Sequence, residues 1–260
     1  MDLEYQYNAV QKQYKTAKNL NLRISLHAKY STNQIGFGNW LFSQYNLAPN
    51  MRILELGCGT GEMWDTKLHL LDPSIKLLLT DFSENMVSVV KDRFHAASNV
   101  SYEVVNIENI PYRDSCFDRV IANMMLYHVP DLDKGLSEAK RVLAEDGYFY
   151  CATYGEHGIM PFLAELLKDY NVKDTTNKKF TLQNGYDLLK EHFSHVERLD
   201  YEDSLAITDI EDLLNYIYSL TLIPDMAKLE RETLKKALEQ KMDRHVLNIP
   251  KEYGMFLCRK

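Results

Sequence analysis

Five short apolar runs alternate with stretches of helical spacing between residues 52 and 154, and this rhythm strongly constrains the fold. The runs lie at 52–57, 76–81, 101–106, 117–124 and 148–154. Ser83 and Asp131 each stand where they can cap the helix that follows. Strands separated by helices form βαβ units, and continuous apolar strands are typical of a parallel sheet covered on both faces. The sequence therefore predicts an α/β fold built on a parallel sheet.

The flanking segments have a looser pattern. Residues 2–18 predict a polar helix, residues 19–38 an irregular segment, and residues 40–45 a short buried helix that ends before Pro49. After Gly155, helices are predicted at 159–170, 181–193, 208–221 and 225–244, and strands at 195–206 and 253–259. The segment 208–244 is longer than an ordinary connection between strands, so it predicts a helical insertion or lid before the last strand.

Charge and cysteine content narrow the class of protein. The 260 residues include 37 acidic and 30 basic side chains, and the net charge of −7 gives no overall attraction to nucleic acid. The four cysteines form no C-x-x-C pair, which disfavours zinc ribbons and predicts a reducing, cytoplasmic location. No apolar run is long enough to span a bilayer, so no membrane partner is expected. The eight histidines show no H-x-x-x-H spacing, and no metal is expected.

A glycine-rich turn follows the first predicted strand and is expected to open a helix. Gly57, Gly59 and Gly61 alternate there, and glycine lets the backbone turn tightly and approach a ligand closely. Backbone N–H groups at the start of a helix would then face that ligand. Asp81 closes the second strand, 20 residues after Gly61, where a carboxylate can bind both hydroxyls of a ribose. The ordered pair predicts a nucleoside-containing cofactor.

The residues around the glycines favour one kind of cofactor. The dinucleotide fingerprint requires a small residue three positions after its second glycine, and Glu62 stands there. A pyrophosphate would lie poorly beside Glu55, Glu62 and Asp65, whereas a ligand with an ammonium and a sulfonium group would tolerate these carboxylates. No G-x-x-x-x-G-K-[ST] loop occurs, which disfavours a P-loop enzyme.

Four segments together resemble class I S-adenosylmethionine-dependent methyltransferases, and most closely the type 11 subgroup that acts on small molecules. They are ILELGCGTG (53–61), LLLTDFSENMV (77–87), NIENIPYRDSCFDRVIAN (106–123) and RVLAEDGYF (141–149). The resemblance implies a Rossmann-like methyltransferase fold with a seven-stranded, mostly parallel sheet of order 3-2-1-4-5-7-6 and helices on both faces. Within one compact domain we expect an N-terminal helical cap (1–48), a cofactor-binding core (49–155) and a C-terminal part with the helical insertion (156–260).

The resemblance also implies which residues hold S-adenosylmethionine. Glu55 and the loop residues Gly57, Cys58, Gly59 and Gly61 would contact the methionine part, and Asp81 would bind the ribose. The adenine would contact Phe82, Asn106 and Ile107. Asn123 would line the sulfonium region, and Met86 would complete the binding site. Asn106 stands where the family often has Asp, and its carbonyl oxygen can still accept from an amine. Residues 123–126 lack the N-P-P-Y turn, which argues against methylation of adenine or of glutamine amide nitrogen.

Methyl transfer from a sulfonium is an in-line displacement, so the protein mainly aligns the acceptor and excludes water. His128 follows the fourth strand at the carboxyl edge of the sheet, and His27 lies in the predicted cap; both are candidate bases. The candidate pocket residues are aromatic, because ring faces attract cations: Tyr30, Trp40, Tyr127 and Tyr154. A packing role remains open for each of these six residues.

Other functions also remain open. An NAD-dependent oxidoreductase is a second class, against which Glu62 argues. A non-catalytic module of the same fold is a third, although such a module need not retain Glu55 and Asp81. An RNA acceptor stays possible because residues 12–29 are basic. The expected partner is a small-molecule acceptor, and the expected product of the cofactor is S-adenosylhomocysteine.

Overall fold

The computed structural model describes residues 17–219 and 224–260 and contains a seven-stranded sheet. Its strands are β1 (Arg52–Leu56), β2 (Lys76–Asp81), β3 (Val100–Val104), β4 (Phe117–Ile121), β5 (Leu143–Tyr154), β6 (His195–Ile207) and β7 (Leu247–Arg259). The predicted order β3-β2-β1-β4-β5-β7-β6 is confirmed, with β7 antiparallel. The pairs β1–β2, β1–β4, β2–β3 and β4–β5 are parallel.

Nine helices are present in the described part of the chain. They are α1 (Ala17–Tyr30), α2 (Phe37–Gln44), α3 (Glu84–Arg93), α4 (Leu132–Val142), α5 (Ile159–Leu166), α6 (Gly185–Lys190), α7 (Ile210–Ser219), α8 (Pro224–Ala227) and α9 (Arg231–Glu239). Short 3₁₀ turns occupy Glu62–Trp64, Leu68–Leu70, Leu126–His128 and Lys168–Tyr170. Helices α7, α8 and α9 lie between β6 and β7, which confirms the predicted helical insertion.

The burial of β1 and the helix caps of the central β/α units agree with the sequence predictions. Four of the five residues of β1 are buried, as expected for a strand with neighbours on both sides. The Ser83 side chain accepts from the backbone N–H of Met86 at the start of α3. The Asp131 side chain accepts from the backbone N–H of Lys134 at the start of α4. Each cap satisfies an N–H that the first helical turn leaves without a partner.

Two compact units make up the chain, and each has its own apolar core. Unit 1 comprises residues 1–36, 154–178 and 201–253, and its described part has a core that includes Leu26, Leu205 and Leu213. Unit 2 comprises residues 37–153, 179–200 and 254–260. Its core includes the residues of β1, β2 and β4 that flank the glycine-rich turn. The three-part division predicted above stays a prediction.

Three predicted elements were wrong. Residues 19–38 are not irregular, because α1 runs to Tyr30 and buries Leu26 and Tyr30 four residues apart on one face. The glycine turn opens a 3₁₀ turn instead of an α-helix, since Trp64 N donates to Gly61 O at 2.9 Å. The single helix predicted at 225–244 is two helices, α8 and α9. Most of the polar helix predicted at 2–18 lies outside the described residues.

Candidate cofactor site and acceptor residues

The glycine-rich turn, residues 57–61, leaves one position open to a ligand. Gly57, Gly59 and Gly61 all have left-handed backbones, with φ of 70°, 55° and 74°. A Cβ at Gly57 would lie 2.9 Å from Met125 Cβ, and one at Gly61 would lie 2.5 Å from Val90 Cγ2. A Cβ at Gly59 would meet nothing within 4 Å. Gly57 and Gly61 therefore allow the turn to pack closely, whereas Gly59 faces open space.

Asp81 joins the end of β2 to this turn. Its Oδ2 accepts from the Gly59 backbone N–H at 3.0 Å, and its Oδ1 accepts from the Ser83 N–H at 2.8 Å. Burial raises the pKa of the carboxyl, and the backbone donors oppose that shift. Each carboxylate oxygen can accept a further bond, so ribose hydroxyls can still bind. The neighbouring Phe82 ring is 43% exposed and offers a flat apolar face.

Glu55 places a carboxyl in the middle of the sheet. It pairs with Leu79 of β2 on one side and with Ile121 of β4 on the other, and only 3% of its surface is exposed. Burial raises its pKa to about 7, while the indole N–H of Trp64, which donates to Oε2 at 2.5 Å, opposes the shift. Such a carboxyl is poised to receive a cation, whose charge would favour the ionised form.

Asn123 adds an unfilled acceptor just beyond the end of β4. Its Nδ2 donates to the Tyr45 hydroxyl at 2.6 Å. Its Oδ1 is buried and has no hydrogen-bond partner among the described residues. Tyr45 also packs against Tyr150, with ring centroids 5.0 Å apart, and burial raises the pKa of Tyr45. An ammonium group can donate the hydrogen bond that Asn123 Oδ1 receives from no described residue. The residues present therefore fit the ammonium group of S-adenosylmethionine.

The residues predicted to contact the adenine and the turn are buried or already hydrogen-bonded within the protein. The Asn106 Oδ1 already accepts from the Glu108 backbone N–H at 2.9 Å, although its second lone pair remains available. Ile107 and Met86 are buried at 6% and 8% exposure. Cys58 is buried in the turn, and its N–H donates to Thr80 O at 2.8 Å. All four positions lie in unit 2, and their contacts with the cofactor stay predictions.

The other candidates divide between the two units. In unit 2, the Tyr127 and His128 rings lie 4.5 Å apart, and burial lowers the pKa of His128. Trp40 stacks on Phe37 at 5.9 Å, which fits a packing role.

The remaining three candidates, His27, Tyr30 and Tyr154, belong to unit 1. The Tyr30 hydroxyl donates to Asp212 Oδ2 at 2.7 Å, and the Tyr154 hydroxyl donates to Asn177 O at 2.8 Å. Both hydroxyls are therefore engaged within the protein. His27 Nδ1 is buried and unpaired within the part of the chain that the structure describes.

The sequence predictions missed two residues of this site, Trp64 and Tyr45. The sequence pattern predicts only a buried helix at Tyr45 and no role for Trp64. A signal for Trp64 exists in the sequence, because a buried indole N–H needs an acceptor and Glu55 is a carboxylate in the adjacent strand. The hydrogen bond between Tyr45 and Asn123 joins residues 78 positions apart, so no local sequence pattern predicts it.

A family profile described as "Methyltransferase domain" matches residues 47–212, well over half of the chain. The chain belongs to this methyltransferase family. The match covers the glycine turn, Asp81 and Asn123 and confirms the resemblance drawn from the four segments. It leaves out α1 and the two helices α8 and α9.

Curated relatives share about half of the chain. Malonyl-[acyl-carrier protein] O-methyltransferase of Bacillus cytotoxicus is 32% identical over 142 residues, which are 53% of this chain and 49% of that protein. Ubiquinone/menaquinone biosynthesis C-methyltransferase UbiE of Pasteurella multocida is 32% identical over 123 residues, 46% of this chain and 44% of that protein. The chain spans about half the length of these relatives.

Solved structures share the fold over more of the chain. Phosphoethanolamine N-methyltransferase 2 of Haemonchus contortus, in complex with S-adenosyl-L-methionine, aligns with a TM-score of 0.61 over 97% of this chain and 59% of that chain, at 16% identity. A protein of Bacillus halodurans aligns with a TM-score of 0.58 over 86% of this chain and 98% of that chain, also at 16% identity. At such low identity these similarities establish the fold alone. No helix among the described residues is long and apolar enough to cross a membrane.

Proposed function

We propose that the protein transfers a methyl group from S-adenosylmethionine to a small-molecule acceptor. The observation that carries this proposal is the pairing of an open glycine turn with unfilled acceptors beside it. Gly59 leaves room for a ligand, Glu55 supplies a buried carboxyl, and Asn123 Oδ1 receives no hydrogen bond from any described residue. The relatives named above are methyltransferases, and their names refer to an acyl-carrier protein and to quinone biosynthesis. These names support methyl transfer as the reaction of this chain.

In this proposal each part of the cofactor meets a group of suitable chemistry. Asp81 would bind the ribose hydroxyls, and the exposed ring of Phe82 would cover the adenine. Glu55 and Asn123 would bind the ammonium of the methionine part, for which the raised pKa of Glu55 makes ionisation and binding cooperative. When bound, the cofactor supplies an electrophilic methyl group attached to a positively charged sulfur.

The protein's own contribution is alignment, exclusion of water and, for some acceptors, removal of a proton. His128 is the candidate base in unit 2, since burial lowers its pKa and keeps the imidazole neutral near pH 7. Its ring lies against Tyr127, which fixes one side of its surroundings. A neutral imidazole can accept a proton as the acceptor atom gains the methyl group.

An NAD-dependent oxidoreductase fits less well. The segment after the glycine turn is a 3₁₀ turn that begins at Glu62. It therefore lacks the α-helix whose N-terminal N–H groups bind a pyrophosphate in dinucleotide enzymes. The Glu62 carboxylate at that position would also repel the phosphates.

Calorimetric titration with S-adenosylhomocysteine, with NADH in parallel, tests the proposal. We expect one-to-one binding of S-adenosylhomocysteine alone. Asp81→Ala should weaken this binding by at least tenfold, because it removes the carboxylate that orders the turn and meets the ribose. Asp92→Asn, a change of an exposed carboxylate on α3, serves as the matched control and should leave the affinity unchanged. Binding of NADH instead, or binding of neither ligand, would refute the proposed function.

A further inference from the structure

Three side chains that can bind a metal ion converge on the surface of unit 2. Asp133 lies in the first turn of α4, and Glu191 and His192 directly follow the end of α6. One carboxylate oxygen from each acid and one imidazole nitrogen all lie within 4.8 Å of one another. The His192 Nε2 and Asp133 Oδ1 atoms are 3.1 Å apart. We call Asp133, Glu191 and His192 the His192 cluster.

Buried neighbours hold the backbone on both sides of this cluster. Leu132 precedes Asp133, Phe193 follows His192, and both neighbours are buried in the same apolar core as Leu189. The backbone N–H groups of His192 and Phe193 both donate to Leu189 O, at 3.0 and 2.9 Å. The two acidic side chains are exposed, so they can adjust around an ion while the backbone stays in place.

The two carboxylates of the cluster have no lysine or arginine partner. Within the described residues 17–219 and 224–260, no nitrogen of either residue type lies within 4.0 Å of the Asp133 or Glu191 carboxylate. Carboxylates this close repel each other. A protonated His192 would compensate only one of the two negative charges, whereas a divalent cation compensates both.

A hydroxyl group on the other side of the imidazole favours metal binding through Nε2. Ser137 lies one turn after Asp133 on α4, and its Oγ is 3.4 Å from His192 Nδ1. With the ring proton on Nδ1 and directed at this oxygen, Nε2 keeps its lone pair for an ion. Histidines that bind metals almost always direct their other ring nitrogen at a polar partner in this way.

The ligand set indicates which ion fits. An imidazole nitrogen combined with carboxylate oxygens suits zinc and similar transition metals, whereas Mg²⁺ and Ca²⁺ prefer oxygen ligands alone. Ligand atoms about 2.1 Å from a tetrahedral zinc ion stand roughly 3.4 Å apart, close to the 3.1 Å between His192 Nε2 and Asp133 Oδ1. Three protein ligands leave the fourth position of the ion to water.

We propose that the His192 cluster binds one Zn²⁺ ion through His192 Nε2 and the carboxylates of Asp133 and Glu191. The ion would join the first turn of α4 to the end of α6 and thereby stabilise unit 2. None of the three residues belongs to the proposed cofactor site, so this inference does not rest on the proposed function. The spacing of histidines along the sequence does not detect such a site, because its ligands come from two separate elements.

Metal titrations of the full chain, first treated with a chelator, test the proposal. Co²⁺ should bind one-to-one and give the visible absorption bands of a four-coordinate site. Zn²⁺ should displace Co²⁺, and Mg²⁺ in about a hundredfold excess should not. Asp133→Asn and His192→Gln should each weaken Zn²⁺ binding by about tenfold or more, and Ser137→Ala by about tenfold.

His95→Gln, which changes an exposed imidazole outside the cluster, is the matched control and should leave Zn²⁺ binding unchanged. Because Asp133 is exposed, Asp133→Asn should stay folded and keeps the test decisive should His192→Gln unfold. Zn²⁺ should raise the melting temperature of the wild-type protein and of His95→Gln, but not that of Asp133→Asn.

Three results would overturn the proposal. Equal Zn²⁺ affinity in the wild-type protein and in Asp133→Asn would indicate an adventitious ion only. Displacement of Co²⁺ by Mg²⁺ would contradict the assignment of a transition metal. Failure of both Co²⁺ and Zn²⁺ to bind would remove the site altogether.

Discussion

Binding of S-adenosylhomocysteine should release a proton from Glu55. The Glu55 carboxyl is buried and its pKa is raised to about 7, so at pH 6.5 about three quarters of the molecules carry the proton. The ammonium group on the homocysteine part of the ligand favours the ionised carboxylate and therefore expels that proton. We expect release of about 0.9 proton at pH 6.0, about three quarters at pH 6.5 and about a quarter at pH 7.5.

Calorimetry in buffers of different ionisation enthalpy measures this release, since the slope of the observed enthalpy gives the number of protons transferred. Glu55→Gln should remove the release, because an amide does not titrate in this range. Asp92→Asn should leave it intact. The reasoning is refuted if the wild-type protein releases less than about 0.2 proton at pH 6.5, a value well below the expected fraction for a pKa near 7.

The Glu55 carboxyl should also make the free energy of unfolding depend on pH. Its pKa is raised from 4.5 to about 7 in the folded protein, so between these values the folded state binds more protons than the unfolded state. The free energy of unfolding must then fall as pH rises from about 4.5 to 7, and by about 3 kcal/mol for this group alone. A bound cation would remove this penalty, which links cofactor binding to stability above pH 7.

Three further perturbations have clear expectations. Gly61→Ala should lower the free energy of unfolding by about 2–4 kcal/mol in urea titrations, because its Cβ would lie 2.5 Å from Val90 Cγ2 at a φ of 74°; an equal loss in Gly59→Ala, where space is open, would contradict this. Lys251→Met should cost about 3–5 kcal/mol by thermal or chemical denaturation, since it strands the buried Asp203 carboxylate; a loss below 1 kcal/mol would count against it. His128→Gln should slow methyl transfer by about 10²–10⁴-fold with S-adenosylhomocysteine affinity unchanged; an unchanged rate would remove His128 as the base.

The parts of the fold that the sequence predicts well are those governed by local chemistry. The β/α alternation, the caps at Ser83 and Asp131 and the glycine turn before Asp81 each depend on residues close in sequence, and all appear where expected. The order of the strands followed from the resemblance, since strand propensity alone does not specify which strands pair.

The predictions that were wrong concern elements that depend on tertiary contacts. Helix α1 has a polar composition, and its burial of Leu26 and Tyr30 is visible only once the apolar core of unit 1 exists. The role of Trp64 depends on the hydrogen bond from its indole N–H to the buried carboxyl of Glu55 in β1. Single-sequence periodicity does not report such contacts, because the partners lie on different elements.

The two bonds that Asp81 makes to Gly59 and Ser83 have a consequence for affinity. A flexible turn must lose about 1–2 kcal/mol of backbone entropy per residue when it closes on a ligand. Here the Asp81 carboxylate holds the turn in its left-handed course through hydrogen bonds within the protein itself. The cost of ordering is therefore met at folding, and preorganisation leaves more of the contact energy for holding the cofactor.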